Sequence, residues 1–474
     1  MRLVFKRKND IMQLKKRPFI VICMLVLTCL QLVHAQDYQP NWSSLDKRTV
    51  PEWWSKAKFG IFVHWGVYSV PAYAPVSEVD GVYEKYAEHY ESRLLSKNPL
   101  FTKFHNQYFG EKTTYQDFVS QFRAEYFDPD KWAALFERSG AKYVVLTSKH
   151  HDGFCLWPSA QSPKWNSVDM GPHRDIIGDL SKSVTKRGLH MGLYYSLLEW
   201  SNPLYKPASI DEYVQNHMLP QLKDVVEKYK PEVIFSDGEW DYLSSAFKSE
   251  EFLAWLYNDS PVKNTVVVND RWGKETRSKH GGYYTTEYNL VNDKTGIDNA
   301  AHPWEESRGI GTSYGYNRFE TTENYFTSKQ LVDLLIEKVS SGGNLLLNVG
   351  PEANGLIPVI MQERLLDMGA WLKVNGEAIY NTTQWENRRN STKPSSMYFT
   401  RNGNTLYVIC TKWPGGPLKI PGIAKAGKVT LLGSDKAVKA SVSGRSLTII
   451  PPGLLPDRMP CQHAWTFKIE NFGS

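Results

Sequence analysis

Between residues 56 and 375 the chain carries eight short apolar runs, each ended by a polar or charged residue and separated by helical patterns. They span 59–66, 143–150, 190–196, 233–238, 265–270, 283–288, 310–316 and 343–350. Near-continuous apolar runs of this length suit parallel strands buried on both faces. One intervening helix is fully punctuated: Asp128 can cap, Pro129 suits the first helical position, Trp132, Leu135 and Phe136 share a face, and Gly140 can end it. Eight such alternations predict a (β/α)8-like barrel, irregular in its later half. A doubly wound sheet is the alternative, but no glycine-rich phosphate fingerprint follows the first run. Residues 72–116 are too long for an ordinary connection and read as a decorated loop over the barrel mouth. From about residue 385 helical periodicity gives way to alternation, as in Trp465, Phe467 and Ile469 against Thr466, Lys468 and Glu470. The expected layout is a catalytic barrel over 36–382 and a small antiparallel β-sandwich over 383–474.

The first 35 residues stand apart. A basic segment leads into the apolar run 19–32, and Val33-His34-Ala35 supplies a cleavage-like end before Gln36. That order is a secretory signal peptide; the run is short for a membrane anchor. Of 56 basic and 50 acidic residues, seven and one lie in this leader, so the formal charge of +6 belongs to it and the remainder is balanced. Such a balance gives no footprint for nucleic acid. Beyond the leader, Cys155, Cys410 and Cys461 are too few and too scattered for a disulfide framework or a zinc site.

Chemistry in such a barrel sits at the C-terminal ends of the strands. The ends here are one-sided: His64, His150-His151, the pair Tyr194-Tyr195, Asp237, Asp270-Arg271, Glu287, Tyr314 and Asn348. Each has a plain structural reading: Asp237-Gly238 is a common turn pair, His150-His151 suit a core, and Asp270-Arg271 suit a loop salt bridge. No third ligand stands at metal spacing from the histidines. Their convergence on one rim is the signal. Two carboxylates flanking an anomeric carbon cleave glycosidic bonds, and Asp237 and Glu287 lie two strands apart. Abundant aromatic residues, including 16 Trp, are compatible with stacking on sugar rings.

Residues 58–66 (KFGIFVHWG), 146–157 (LTSKHHDGFCLW), 192–196 (GLYYS), 235–240 (FSDGEW), 269–273 (NDRWG), 342–351 (GGNLLLNVGP) and 371–380 (WLKVNGEAIY) resemble the α-L-fucosidases of glycoside hydrolase family 29. The resemblance implies a retaining hydrolase without cofactor or metal, with Asp237 as nucleophile and Glu287 as acid/base. Asp270 is the alternative acid/base. It further implies that His64, Glu88, His89, His150, His151, Tyr195, Phe235, Arg271 and Tyr314 line the fucose site, Tyr314 against the C6 methyl. Strand alternation lets only one of Tyr194 and Tyr195 face inward. Two positions depart from the family: His89 replaces a usual aromatic, and Phe235 stands where some members have Trp.

The expected partner is a fucosylated glycan, with no nucleic acid and no membrane span after cleavage. A homo-oligomer is left open. A secreted or periplasmic location follows from the leader, or a lysosomal one in a eukaryote, where Asn41, Asn381 and Asn390 open glycosylation triplets. Loops 72–116 and 292–308 are expected to set linkage preference. The competing functions are a fucose-binding, lectin-like protein without turnover and a hydrolase of another α-galactose-type sugar.

Overall fold

The computed structural model describes residues 37–76, 81–288, 302–385 and 396–473. The leader and Asn390 lie outside them. Pro40–Ser474 form one unit and the residues up to Gln39 another. No helix among the described residues is long and apolar enough to cross a membrane.

Eight parallel strands form one curled sheet: β1 (Phe59–Val63), β2 (Tyr143–Lys149), β3 (His190–Ser196), β4 (Val233–Asp237), β5 (Val267–Val268), β6 (Tyr284–Glu287), β7 (Trp304–Gly309) and β8 (Asn344–Val349). The order β5-β4-β3-β2-β1-β8-β7-β6 is that of a TIM-like barrel whose ladder stays open between β5 and β6. Two backbone bonds stitch that seam, Gly282 N–H to Asn269 C=O (3.2 Å) and Tyr283 N–H to Val268 C=O (3.0 Å). The later half is irregular as expected, β5 being two residues long. Every residue of β1, β2, β4 and β8 is buried, because helices cover the outside and side chains fill the inside. The helix Pro129–Arg138 starts as its sequence requires: the Asp128 carboxylate accepts from Lys131 N–H at 3.0 Å.

The seventh strand is a correction. Residues 310–316 form a loop, and the strand is Trp304–Gly309, six residues earlier than expected. Hydropathy hides it because two of its buried residues are glutamates, Glu305 and Glu306. Alternation sends Glu305 into the barrel, where it accepts from the Tyr143 hydroxyl, and Glu306 to the other face, where it accepts from Thr286. Tyr143 reaches Glu305 across Gly60, where a Cβ would stand 2.3 Å from its ring. A charged carboxylate in that core would be costly, and Glu305 Oε1 has no partner. Burial pushes this carboxyl up to about 8, against the pull of its tyrosine neighbours.

The described residues of the 72–116 insert, 72–76 and 81–116, include short helices, among them Tyr90–Leu95 and Pro99–Tyr108, and carry Tyr86, Glu88, His89 and Arg93 to the barrel mouth. Beyond the barrel, β9 (Thr383–Gln384), β10 (Met397–Asn402), β11 (Thr405–Cys410), β13 (Val429–Leu431) and β16 (Trp465–Ile469) make a five-stranded antiparallel sheet. Strands β12 (Leu418–Pro421), β14 (Lys439–Ser443) and β15 (Ser446–Ile450) make a three-stranded one. Val408 and Phe467 from the first and Ile420, Leu447 and Ile449 from the second share one core. The sandwich is tied to the helix Val359–Asn375 by Trp371 Nε1–H donating to Ala464 C=O (2.9 Å).

An acid whose folded pKa lies near 8 binds its proton more tightly folded than unfolded. Stability is therefore lost as pH rises from about 4.5 toward 8. Glu305→Gln should flatten the fall of Tm between pH 5 and pH 8 relative to wild type, measured by thermal unfolding in matched buffers. An unchanged slope would contradict a neutral Glu305.

Candidate active site

Strands β1, β3, β4, β6 and β7, the segments that follow β1, β2, β4, β5 and β7, and the 72–116 insert converge on a cavity of about 250 Å³. Asp237, the last residue of β4, lies at its floor and is 8 % exposed. The chain turns sharply after it: Gly238 has φ +76°, and a Cβ there would stand 2.8 Å from Leu198 Cβ. The turn reading and the functional reading of Asp237-Gly238 thus hold together.

Asp237 Oδ1 accepts from Arg271 Nη1 (2.8 Å) and Oδ2 from the Tyr194 hydroxyl (2.8 Å). His151 Nε2 lies 3.5 Å from Oδ2, and Arg277 Nη2 lies 3.8 Å from Oδ1. Burial alone would raise this carboxyl's pKa; the charge of Arg271, with His151 and Arg277, outweighs it and holds the group well below the usual carboxylate range. Arg271 also donates from Nη2 to Glu287 Oε2 (3.2 Å), and Glu287 Oε1 accepts from the Tyr86 hydroxyl (2.7 Å). One guanidinium fork therefore sets the spacing of the two carboxylates.

Asp270, the alternative acid, is a seam residue. Its Oδ1 accepts from Thr285 N–H (3.2 Å) and Thr285 Oγ1–H (2.7 Å), and its Oδ2 from Ser278 N–H (2.9 Å). It is fully buried and does not line the cavity. Thr285 Oγ1 in turn accepts from Arg271 Nε (3.0 Å).

The tyrosine parity is decided against Tyr195. Its hydroxyl donates to Gln221 Oε1 (2.8 Å) on the outside of the sheet, where Lys149 Nζ sits 4.2 Å from the ring centroid. Tyr194 faces the cavity instead. His64, His89 and His150 line it too, with His151 in contact at 4.3 Å between ring centroids from His150. Asn348 orients His64: its Nδ2 donates to Tyr314 C=O (2.7 Å), which turns Oδ1 toward His64 Nδ1 (2.7 Å) and leaves Nε2 as an acceptor. Burial pushes His64 and His89 down to about 3 and lowers His150 as well. His150 Nδ1 has no protein partner. Glu88 is at the wall with Oε2 taken by Gly315 N–H (2.8 Å) and Ser313 Oγ–H (3.1 Å); burial pushes it up to about 7. Phe235 and Tyr314 form an apolar side with Phe62, whose ring lies 5.0 Å from Phe235 and 6.2 Å from Tyr314.

Sequence reasoning did not single out Phe62, Tyr86, Arg93, Trp240, Arg277 or Ser307, all of which line the cavity. Phe62 was reachable, being two residues from His64 and so on the same face. Among the described residues no three His, Cys, Asp or Glu side chains are grouped to hold a metal ion.

Two carboxylates facing one small polar cavity on a barrel's C-terminal rim are the equipment of glycosidic bond cleavage, and the class defined by this fold and site is the glycoside hydrolases. The chain belongs to the α-L-fucosidase family: the α-L-fucosidase model matches residues 25–377, and that of the α-L-fucosidase C-terminal domain matches 389–470. It is 43 % identical to the tissue α-L-fucosidase of Bos taurus over 455 residues, covering 93 % of each chain. It is 42 % identical to the α-L-fucosidase of Dictyostelium discoideum, covering 95 % of this chain and 99 % of that one. Its fold matches that of Thermotoga maritima α-fucosidase in complex with fucose, with a TM-score of 0.76 at 37 % identity over 91 % of this chain and 100 % of that one.

Removing the Arg271 charge should let burial dominate at Asp237. Arg271→Gln is expected to move the acid limb of kcat/KM on an aryl α-L-fucoside upward by about 1–3 pH units, the limb that an ionised Asp237 would set. A limb left in place would show that Arg271 does not set the charge of Asp237.

Proposed function

We propose that the chain is an exo-acting, retaining α-L-fucosidase that removes terminal α-L-fucose from glycans through a fucosyl ester on Asp237, with Glu287 as acid/base. The observation carrying this reading is the single Arg271 fork shared by both carboxylates. It supports the close spacing of about 5–5.5 Å that a retaining pair requires, as against the 6.5–9.5 Å of an inverting one. The cavity is small against the roughly 300–1,000 Å³ of typical ligand sites, which suits one terminal ring.

In the first step an Asp237 oxygen bonds to the anomeric carbon as the bond to the glycosidic oxygen breaks. Glu287 gives its proton to that oxygen and becomes anionic. In the second step Glu287 takes a proton from water, the water oxygen bonds to the anomeric carbon, and the ester to Asp237 breaks. The transition state carries positive charge on the ring, so an ionised Asp237 stabilises it. His64 Nε2, His150 Nδ1 and Glu88 supply hydrogen-bonding positions for the hydroxyls. Phe62, Phe235 and Tyr314 supply an apolar surface for the C6 methyl of a 6-deoxy sugar. Asp270 has no part in proton transfer, because its carboxylate is spent on the β5–β6 seam.

The anomer formed on azide rescue separates the two roles. Asp237→Gly should lose at least about a thousandfold in kcat, and azide should restore turnover to the β-fucosyl azide, one inversion having occurred. Glu287→Ala should lose far more on poor leaving groups than on good ones, and azide should then give the α-fucosyl azide. An α-azide from the Asp237 variant, or equal losses across leaving groups in the Glu287 variant, would remove the respective assignment.

The leader is proposed to send the enzyme into a secretory route, to the lysosome, the periplasm or the outside. Mature protein recovered from the host should begin at or near Gln36 by N-terminal sequencing. A mature chain that retains residues 1–35 would contradict it.

A further inference from the structure

The cavity wall divides by exposure. Asp237, Arg271, His64, His150 and Tyr194 are buried and make the floor. Trp240 is 45 % exposed, and the Arg277 side chain is 26 % exposed. Both line the same cavity, and both follow strands on the arc of rim that runs from β4 to Glu287 at the end of β6.

Both side chains are nonetheless held in place. The Trp240 ring packs against the His151 ring, 5.2 Å between centroids and 61° between planes. Arg277 donates from Nε to Glu239 Oε1 at 2.5 Å. Glu239 is 1 % exposed, and its second oxygen has no partner. A buried carboxylate spent on one arginine at a rim is a costly arrangement unless the guanidinium is wanted where it stands. An exposed indole fixed at the mouth of a polar cavity is likewise unusual on a surface that serves no contact.

We propose that Trp240 and Arg277 form the subsite for the leaving sugar, and so determine which glycans the enzyme accepts. The inference rests on the fucosidase reading above. With fucose on the floor and Glu287 at its glycosidic oxygen, the departing residue must lie outward of Asp237 and beside Glu287. Trp240, on the loop after β4, and Arg277, on the loop after β5 and 3.8 Å from Asp237 Oδ1, border that way out. The chemistry they offer defines the occupant: a pyranose whose apolar C–H face stacks on the indole and whose hydroxyls accept from the guanidinium. Because both groups are positioned before binding, little ordering cost falls on the substrate.

The test compares two substrates that share the fucose and differ in what leaves: an α-L-fucosyl galactoside and α-L-fucosyl fluoride, whose leaving group is a single ion without a ring. For Trp240→Ala the ratio of kcat/KM for the disaccharide to that for the fluoride should fall about tenfold, the loss of one good stacking contact. Trp240→Phe should recover most of it. Arg277→Met should lower the same ratio, beyond any loss that its nearness to Asp237 imposes on both substrates alike. Ratios within twofold of wild type in both variants would overturn the subsite, placing Trp240 and Arg277 in service of the fucose ring or the fold. A wild-type enzyme that hydrolyses neither substrate would instead overturn the fucosidase reading beneath it.

Discussion

A single buried guanidinium organises this molecule's chemistry. Arg271 is 3 % exposed, and a cation so placed must be paired and hydrogen-bonded. It binds Asp237 from β4, Glu287 from β6 and Thr285 across the open seam of the barrel. Those contacts make the seam and the site one structure. Asp270 and Thr285 pin β6 to the chain leaving β5, which fixes where Glu287 stands relative to Asp237. Each carboxyl group has a tyrosine donor besides: Tyr194 on Asp237 and Tyr86 on Glu287. Arg277 approaches as a second cation from the rim.

The histidines take the opposite part. Three of them, His64, His89 and His150, are driven toward neutrality by burial. A neutral imidazole can accept or donate to a sugar hydroxyl without placing positive charge beside a carbon that is itself becoming positive. The cavity floor thus keeps its cationic character on Arg271, where the ionised Asp237 absorbs it. In the proposed mechanism, polar contacts from these rings to hydroxyls would come at no electrostatic cost to the transition state.

What the sequence made legible follows from what hydrophobicity can report. Strands β1 to β4 and β8 each carry a short apolar run, so their ends could be read, and with them His64, His150, Asp237 and Asn348. β7 could not be read, because Glu305 and Glu306 are buried in partnership with Tyr143 and Thr286, contacts that exist only after folding. Tyr194 and Tyr195 are chemically alike, and only the barrel's register decides which faces inward. Tyr86 and Arg277 reach the cavity from irregular segments, where no period relates one position to the next, and Arg93 from the helix Tyr90–Leu95, too short to show a period. Hydrophobicity alone does not separate Glu287, the expected acid/base, from Asp270, its alternative, since both are strand-end carboxylates. The difference is the three donors that converge on Asp270, two of them backbone N–H groups whose positions no composition encodes.

The loop that carries His150 and His151 shows how far from the cavity its geometry is set. On the outer face of the sheet, Lys149 Nζ meets Glu199 Oε1 at 2.6 Å, and His217 Nε2 meets the same oxygen at 2.7 Å. Burial would raise the Glu199 pKa, but Lys149 and His217 outweigh it and hold the group down at about 2. Asn202 donates to its second oxygen (2.8 Å). Gly153 closes the histidine turn at φ +74°, where a Cβ would stand 2.9 Å from Glu199 Oε2. Trp200 N–H then donates to His151 C=O (2.9 Å). A buried ion pair of this kind adds little net stability over apolar packing, so its value lies in direction. It locks the turn against the segment after β3, and so fixes where the His150 and His151 rings stand.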